Sequence, residues 1–395
     1  MMKMKSMLLC APAIAFALSL CGCGDGAGYK PFAEKGSAFA FAVNLDKQQF
    51  FEVADSYIDY ASRIGMLPDK IARELKGDCK RFKKNPSAMV PKKFQSFWND
   101  SGLEDARFRW VAISMKDINI ANGVPQFDGL SVAIAATVDI DRLVSTINNT
   151  CSGVVSLQKT KLEGEKVWHV VPLESSAIGE MKSMGIDPYI ASLDGKLLLG
   201  GCSKGAISRL IRHYRKGMRT KNSFDGFTAD KGQVACLHLD LAAVIKAADG
   251  IIPADKFMML DALVPDGSRI AKDLKSLDID VDVGRTGRFT SKFVVKAGSA
   301  KDAEFLRRLV MTRLMFARTR FLQMGTGFGN GMSRELETIK IEGTGDSVEV
   351  KDVDIAFVAM VELMPTISRA IKKARERAAN AQSRAYEGGM PTQGR

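Results

Sequence analysis

One stretch of this chain occurs twice, and that repetition limits the folds open to it. AVNLDKQQFFEVADSYI, beginning at Ala42, returns as CLHLDLAAVIKAADGII, beginning at Cys236, 194 residues later. Leu45 matches Leu239, Asp46 matches Asp240, Ala54-Asp55 matches Ala248-Asp249, and Ile58 matches Ile252. Apolar character also agrees at Val43/Leu237, Phe50/Val244 and Phe51/Ile245. Each copy reads as a strand that ends at an Asp, whose side chain caps the helix that follows by accepting from free backbone N–H groups. In the first helix Phe50, Val53, Ala54, Tyr57, Ile58 and Ala61 share one face at helical spacing; in the second Val244, Ala247, Ala248 and Ile251 do, before Pro253 stops it.

Strand pairs follow in both halves. ARFRWVAISM and GLSVAIAATVD precede a helix of some ten residues containing Leu143, Val144 and Ile147. VVSLQKT and KVWHVV flank Leu162-Glu163-Gly164-Glu165, and YIASL and KLLLG flank Asp194-Gly195, a tight-turn signal. A helix over 203–216 closes the half. Later, LDIDVDV and RFTSKFVVK flank Gly284-Arg285-Thr286-Gly287. A helix from about 301 to 320 is predicted to pack through Phe305, Leu309, Thr312 and Phe316. TIKIE and SVEVK flank Gly343-Thr344-Gly345, and a last helix is expected from near Asp354. Short turns between consecutive strands require antiparallel pairing. The expectation is an α+β fold of two similar halves, mostly antiparallel sheet with helices packed on one face. Whether the two sheets join is left open. The modules run over 36–216 and 232–378, with a linker at 217–231 punctuated by Gly217, Gly226 and Gly232, and a polar, disordered tail at 379–395.

The N-terminus carries an export signal. Lys3 and Lys5 precede an apolar run from Leu8 to Leu20, which is too short to span a bilayer at about 20 residues per crossing. Leu20-Cys21-Gly22-Cys23 then resembles the bacterial lipobox, with an aliphatic residue three before the modified Cys and a small one just before it. The resemblance implies cleavage after residue 22 and lipid on Cys23, although Cys21 departs from the small residue usual at its place. Residues 23–35, with Gly24-Asp25-Gly26-Ala27-Gly28, form a tether. Gly24, rather than Asp, after Cys23 implies the outer membrane in a two-membrane cell.

Losing the signal lowers the formal net charge from +12 to +10. In the cell envelope a basic chain suits an acidic partner or an anionic surface, and export argues against nucleic acid. The densest cationic stretch, Lys76, Lys80, Arg81, Lys83, Lys84, Lys92 and Lys93, lies near Phe82, Phe94, Phe97 and Trp98, and is a candidate docking patch. Cys79, Cys151, Cys202 and Cys236 show no zinc spacing; in an oxidising envelope they could pair in three ways, and buried thiols fit the apolar surroundings of Cys202 and Cys236 equally well.

No catalytic, cofactor or metal motif emerges. Asp278, Asp280 and Asp282 alternate as in a calcium loop, but Val283 and Phe289 stand where the loop needs Gly and Glu. Alternation points Ile279, Val281 and Val283 inward and the acids outward. The glycine-rich run 325–331 has a helix before it and a strand after it, the reverse of a phosphate loop, and reads as a flexible connector. His169, His213 and His238 lack the sequence frame of a hydrolase.

Leu45-Asp46, Leu239-Asp240, Trp110 and SLDGKLLLGGCSKGAISRLI are similar to features of large families of uncharacterised exported bacterial proteins with duplicated α+β modules. The likeness spans about 36–365 and brings no activity with it. The expected role is a non-enzymatic, membrane-anchored envelope lipoprotein that binds or scaffolds. The alternatives are a carrier holding an apolar ligand between helices and a curved sheet, and a hydrolase without a recognisable motif.

Overall fold

Tight turns set the strand pattern. Glu163-Gly164 and Asp194-Gly195 adopt positive φ (52° and 80°, 53° and 63°), the conformation that closes a tight hairpin with the twist of its strands. In a computed structural model, described for residues 36–44, 55, 58–59, 62–63, 69–84, 90, 92–121, 124–215, 233–248, 267–283, 289–325 and 327–354, these hairpins belong to a large antiparallel sheet. The signal 1–22, Cys23, the tether, the first repeat's helix face apart from Ile58, Ile251, the linker 217–231, the helix expected after Asp354 and the tail 379–395 lie outside the described residues.

The first half contributes β1 (Phe39–Asn44), β2 (Arg107–Met115), β3 (Asn119–Ala121), β4 (Val124–Gln126), β5 (Leu130–Thr137), β6 (Val155–Leu162), β7 (Glu165–Pro172), β8 (Tyr189–Leu193) and β9 (Leu197–Gly201). Its helices are α1 (Asp69–Lys84), α2 (Lys92–Asp100), α3 (Ile140–Thr150), α4 (Ser175–Ser183) and α5 (Lys204–Arg215). The second half contributes β10 (Gln233–Asp240), β11 (Ser276–Val283), β12 (Phe289–Lys296), β13 (Lys340–Thr344) and β14 (Ser347–Asp354). Its helices are α6 (Leu241–Ala248), α7 (Gly267–Lys272), α8 (Ala300–Gln323) and α9 (Gly327–Thr338). Asp240 caps α6 as the repeat predicts, its Oδ1 accepting from the Ala243 N–H at 2.9 Å.

The two sheets are one. Twelve strands run in the order β13-β14-β12-β11-β10-β1-β2-β5-β9-β8-β7-β6, and β3–β4 form a separate pair. The halves join where β1 pairs antiparallel with β10. Ala42 stands opposite Cys236, its own counterpart in the repeat. Phe41↔Leu237 and Val43↔Ala235 are images of each other under the same repeat. An approximate two-fold axis therefore passes through the sheet between Ala42 and Cys236. It relates β1 to β10, β2 to β11, β5 to β12, and hairpin β8–β9 to β13–β14. The first half adds β6–β7 at its outer edge; the second inserts the long α8 and α9 instead.

Helices cover both faces of the first half, where the sequence suggested one. On one face α5 buries Ile207, Leu210 and Ile211 against Trp110, Ala112, Ala133, Ala135, Leu197 and Leu199. Gly201 permits this approach: a Cβ there would stand 2.6 Å from the Ile207 nitrogen. On the opposite face Trp98 of α2 joins Phe108, Ile134 and Ala136, while Val144 of α3 joins Val155, Leu157 and Trp168. Arg142 of α3 ties the two helices together, donating to the Asp100 carbonyl at 2.8 Å and the Asn99 carbonyl at 2.5 Å.

Two sequence expectations about the second half are corrected. Helix α8 packs through Ala303 and Leu306 onto Ala297, Val348 and Ile341. Phe316, expected in the core, is 68% exposed, and Thr312 is exposed too. Phe305 and Leu309 are partly buried, so the predicted stripe is exposed only towards its C-terminal end. The glycine run 325–331 is not a flexible connector; α9 begins at Gly327. A Cβ on Gly329 would stand 2.3 Å from the Phe321 carbonyl oxygen, so the glycine is there for close helix–helix contact.

Candidate functional site

The two-fold axis pairs each core position of one half with a position in the other, and on one sheet face the chemistry differs. Asn44 and its counterpart His238 lie opposite Trp110 and Asp278, so Asp278 occupies the place of Trp110. By the same ladder Asp280 stands for Ala112, Lys292 for Ala133, Val294 for Ala135 and Glu349 for Leu197. Lys351 follows on the same face. In the first half these positions are buried beneath α5. In the second they form a charged face around His238.

Ion pairs knit that face together. Lys292 Nζ lies 3.3 Å from Asp280, and Lys351 lies 2.6 Å from Glu342 and 2.9 Å from Glu349. Those contacts hold the Glu349 carboxyl below the usual range. His238 Nδ1 is 2.6 Å from Asp278 Oδ1. The hydrogen bond to Asp278 raises the imidazole pKa, with burial opposing and Asp240 assisting. Burial and the neighbouring Asp280 raise the Asp282 pKa. The outward direction expected for Asp278, Asp280 and Asp282 places all three on this face. Among the described residues no three His, Cys, Asp or Glu side chains converge as a metal site.

A second histidine lies at the far end of the first half. His169 Nε2 is 2.5 Å from Asp187 Oδ1, the Tyr189 hydroxyl donates to Asp187 Oδ2 at 3.1 Å, and the His169 and Tyr189 rings stack at 4.5 Å. Burial raises the Tyr189 phenol pKa. Among the described residues the two imidazoles hydrogen-bond to Asp187 and Asp278. Among the described residues Cys79, Cys151, Cys202 and Cys236 are not joined by disulfides. Burial pushes Cys202 up to about 11 and raises Cys236 further.

The cationic patch divides between two helices. Lys76, Lys80, Arg81, Lys83 and Lys84 lie on α1, and Lys92 and Lys93 begin α2. Lys76 pairs with Asp59, Arg81 lies 3.2 Å from Asp78, and Lys80 is exposed. The side chains of Lys83, Lys84, Lys92 and Lys93 lie outside the described set. Ile71 and Leu75 are exposed on the same helix, at 44% and 40%. Sequence reading named the patch but missed the charged face, because only the sheet register shows that its residues replace a core.

No family model matches the chain, and no curated protein matches it. It is similar to a solved structure described as "Structure of crystal form I of TP0453", at 9% identity and a TM-score of 0.36, over 86% of this chain and 99% of that one.

Proposed function

We propose that this chain is an exported, lipid-anchored envelope protein whose folded body is a non-enzymatic binding module, with the charged face of the second half as its binding surface. One observation carries the reading. The face is built on the same strands as its two-fold twin, yet charges stand where the twin has Trp110, Ala112, Ala133 and Leu197. Such a face suits a polar partner and disfavours an apolar one, since burying an unpaired charge is costly. The basic helix α1 offers a second contact, suited to an acidic partner or an anionic surface. Anchoring through Cys23 would hold both surfaces near a membrane, with the outer membrane the expected site and nucleic acid no partner. A carrier needs room between helix and sheet. Between α5 and the first half's sheet, Trp110, Leu197, Leu199, Ile207, Leu210 and Ile211 fill that space at 2% exposure or less.

The test is capture from envelope extract by the immobilised mature protein, read by quantitative mass spectrometry across a salt series. The reading expects salt-sensitive enrichment of a partner that Asp278→Lys with Asp280→Lys abolishes, the melting temperature staying near that of the parent. Capture indifferent to these substitutions would remove the face from the account.

A further inference from the structure

The second half inserts α8 and α9 between β12 and β13, and the outer side of α8 is unlike the rest of the surface. Met311, Met315, Phe316 and Leu322 of α8 and Met324 at its C-cap are 41–68% exposed, five of the nine large apolar side chains so exposed among the described residues. Between Glu304 and Glu335 the chain runs for thirty residues with six arginines and no acid. We propose that this side of α8 is a lipid-docking surface that rests on an anionic bilayer and turns the charged sheet face away from it. The inference rests on the reading of the chain as membrane-anchored with that face as its binding surface, and adds the orientation in which the body is held.

The helix is held by its other side. Ala303 and Leu306 pack on Val348 and Ile341, and Gly343 makes room for Arg307, since a Cβ there would stand 3.1 Å from the Arg307 Cδ. Met311, Met315 and Leu322 are spaced by four and seven residues, so they share one side of α8, with Phe316 next to Met315. At 1.5 Å per residue the stretch from Met311 to Met324 covers about 20 Å. A convex ridge of that length meets a flat surface more readily than a pocket. Three of its five apolar side chains are methionines, which adapt to irregular surroundings.

Charge decides the occupant. Glu304 takes Arg307 and Arg308 at 2.7 Å, and Glu337 takes Arg318 at 2.5 Å, so the acids stand only at the two ends of the stretch. Arg313 and Arg320 are exposed along the same helix. A second copy of the chain would bring arginine against arginine. An anionic bilayer supplies both complements, acyl chains for the methionines and Phe316 and phosphate for the arginines. The placement also suits the rest of the body. Along β14 Val348 faces α8, and alternation puts Glu349 and Lys351 on the opposite side of the sheet. With α8 on lipid, the face around His238 and Asp278 looks out to solvent, where a polar partner can reach it. Sixteen residues lead from Cys23 to Phe39; at about 3.3 Å per residue they reach no more than roughly 50 Å, which keeps the body within range of the surface.

The full mature chain with Cys23→Ser, which cannot take lipid, separates the helix from the anchor. In flotation at about 0.1 M salt it should bind phosphatidylglycerol–phosphatidylcholine vesicles at least about tenfold more tightly than phosphatidylcholine vesicles. Met315→Glu with Phe316→Glu should lower that binding at least about tenfold. The melting temperature should stay near that of the parent, since both side chains are exposed. Lys80→Gln with Arg81→Gln on α1 should leave the binding unchanged. A Phe316→Trp chain reads the contact itself: brominated acyl chains should quench its added emission and spare Trp98, Trp110 and Trp168, which are 4% exposed or less. Absent vesicle binding, binding undiminished by Met315→Glu with Phe316→Glu, or an unquenched Phe316→Trp chain overturns the docking. Self-association in place of vesicle binding, lost in the same double variant, would give the surface to a second copy. The Asp278→Lys with Asp280→Lys chain should bind vesicles at least as well as the parent, so the docking surface and the partner face fail separately.

Discussion

Replacing Gly201 by alanine tests how the first half is closed. The added Cβ would lie 2.6 Å from the Ile207 nitrogen and 3.1 Å from its Cα. Both are backbone atoms of α5, so no flexible side chain can swing aside, and helix and sheet must part. Overpacking of this kind costs about 1–3 kcal/mol. Alanine recovers about 0.4–1 kcal/mol by restricting the unfolded chain. The net loss should be about 1–2 kcal/mol. With a urea m-value of about 2–3 kcal/mol/M, the midpoint falls by about 0.3–1 M. Gly153→Ala is the control, since nothing lies within 4 Å of its added Cβ. Equilibrium urea unfolding followed by tryptophan fluorescence reads both variants. A Gly201→Ala midpoint equal to that of Gly153→Ala would refute the close packing of α5 on β9.

The two-fold twins should respond unequally. Trp110→Ala should cost about 3–5 kcal/mol, as a fully buried aromatic does, while Asp278→Ala at the twin position should cost about 0.5–1.5 kcal/mol, as the loss of one half-buried hydrogen bond does; parallel urea titrations compare them. The His238–Asp278 pair gives a pH signature. The folded imidazole pKa lies above its ordinary 6.5, so the pair's stabilisation is full below that value and fades as pH rises through the raised one. His238→Asn should flatten that fall in urea titrations taken between about pH 6 and 9, and an unaltered slope would assign it elsewhere. Alkylation at pH 8 should spare Cys202 and Cys236 in the native protein and modify them after unfolding, because burial disfavours both thiolates; mass spectrometry of the alkylated peptides checks it.

Strands and hairpins were legible in the sequence because their signals are local. Asp194-Gly195 marked one turn, and alternation placed Trp110, Ile279 and Val281 in strands. The repeat supplied the duplication, and its offset agrees with a register that no local pattern contains: Ala42 opposite Cys236. The joined sheet was not legible, since pairing between β1 and β10 depends on residues nearly two hundred apart. Helix α8 misled through its periodicity. Spacing extended one stripe from Phe305 and Leu309 on to Thr312 and Phe316, whereas the last two are exposed and the core contact with Val348 and Ile341 falls on Ala303 and Leu306. Gly329 was misread because one spacing serves either a loop or a close helix crossing. The charged face needed both ladders aligned, because Asp278 and Lys292 look like ordinary surface residues until Trp110 and Ala133 are found in their places.

The proposal that this module works from a membrane depends on Cys23, and the intact mass of the mature protein purified from membranes tests it most directly. The predicted result is a chain that begins at Cys23 and carries a diacylglycerol on the sulfur and an acyl chain on the amino group. An unacylated chain that begins at any other residue would contradict the anchor.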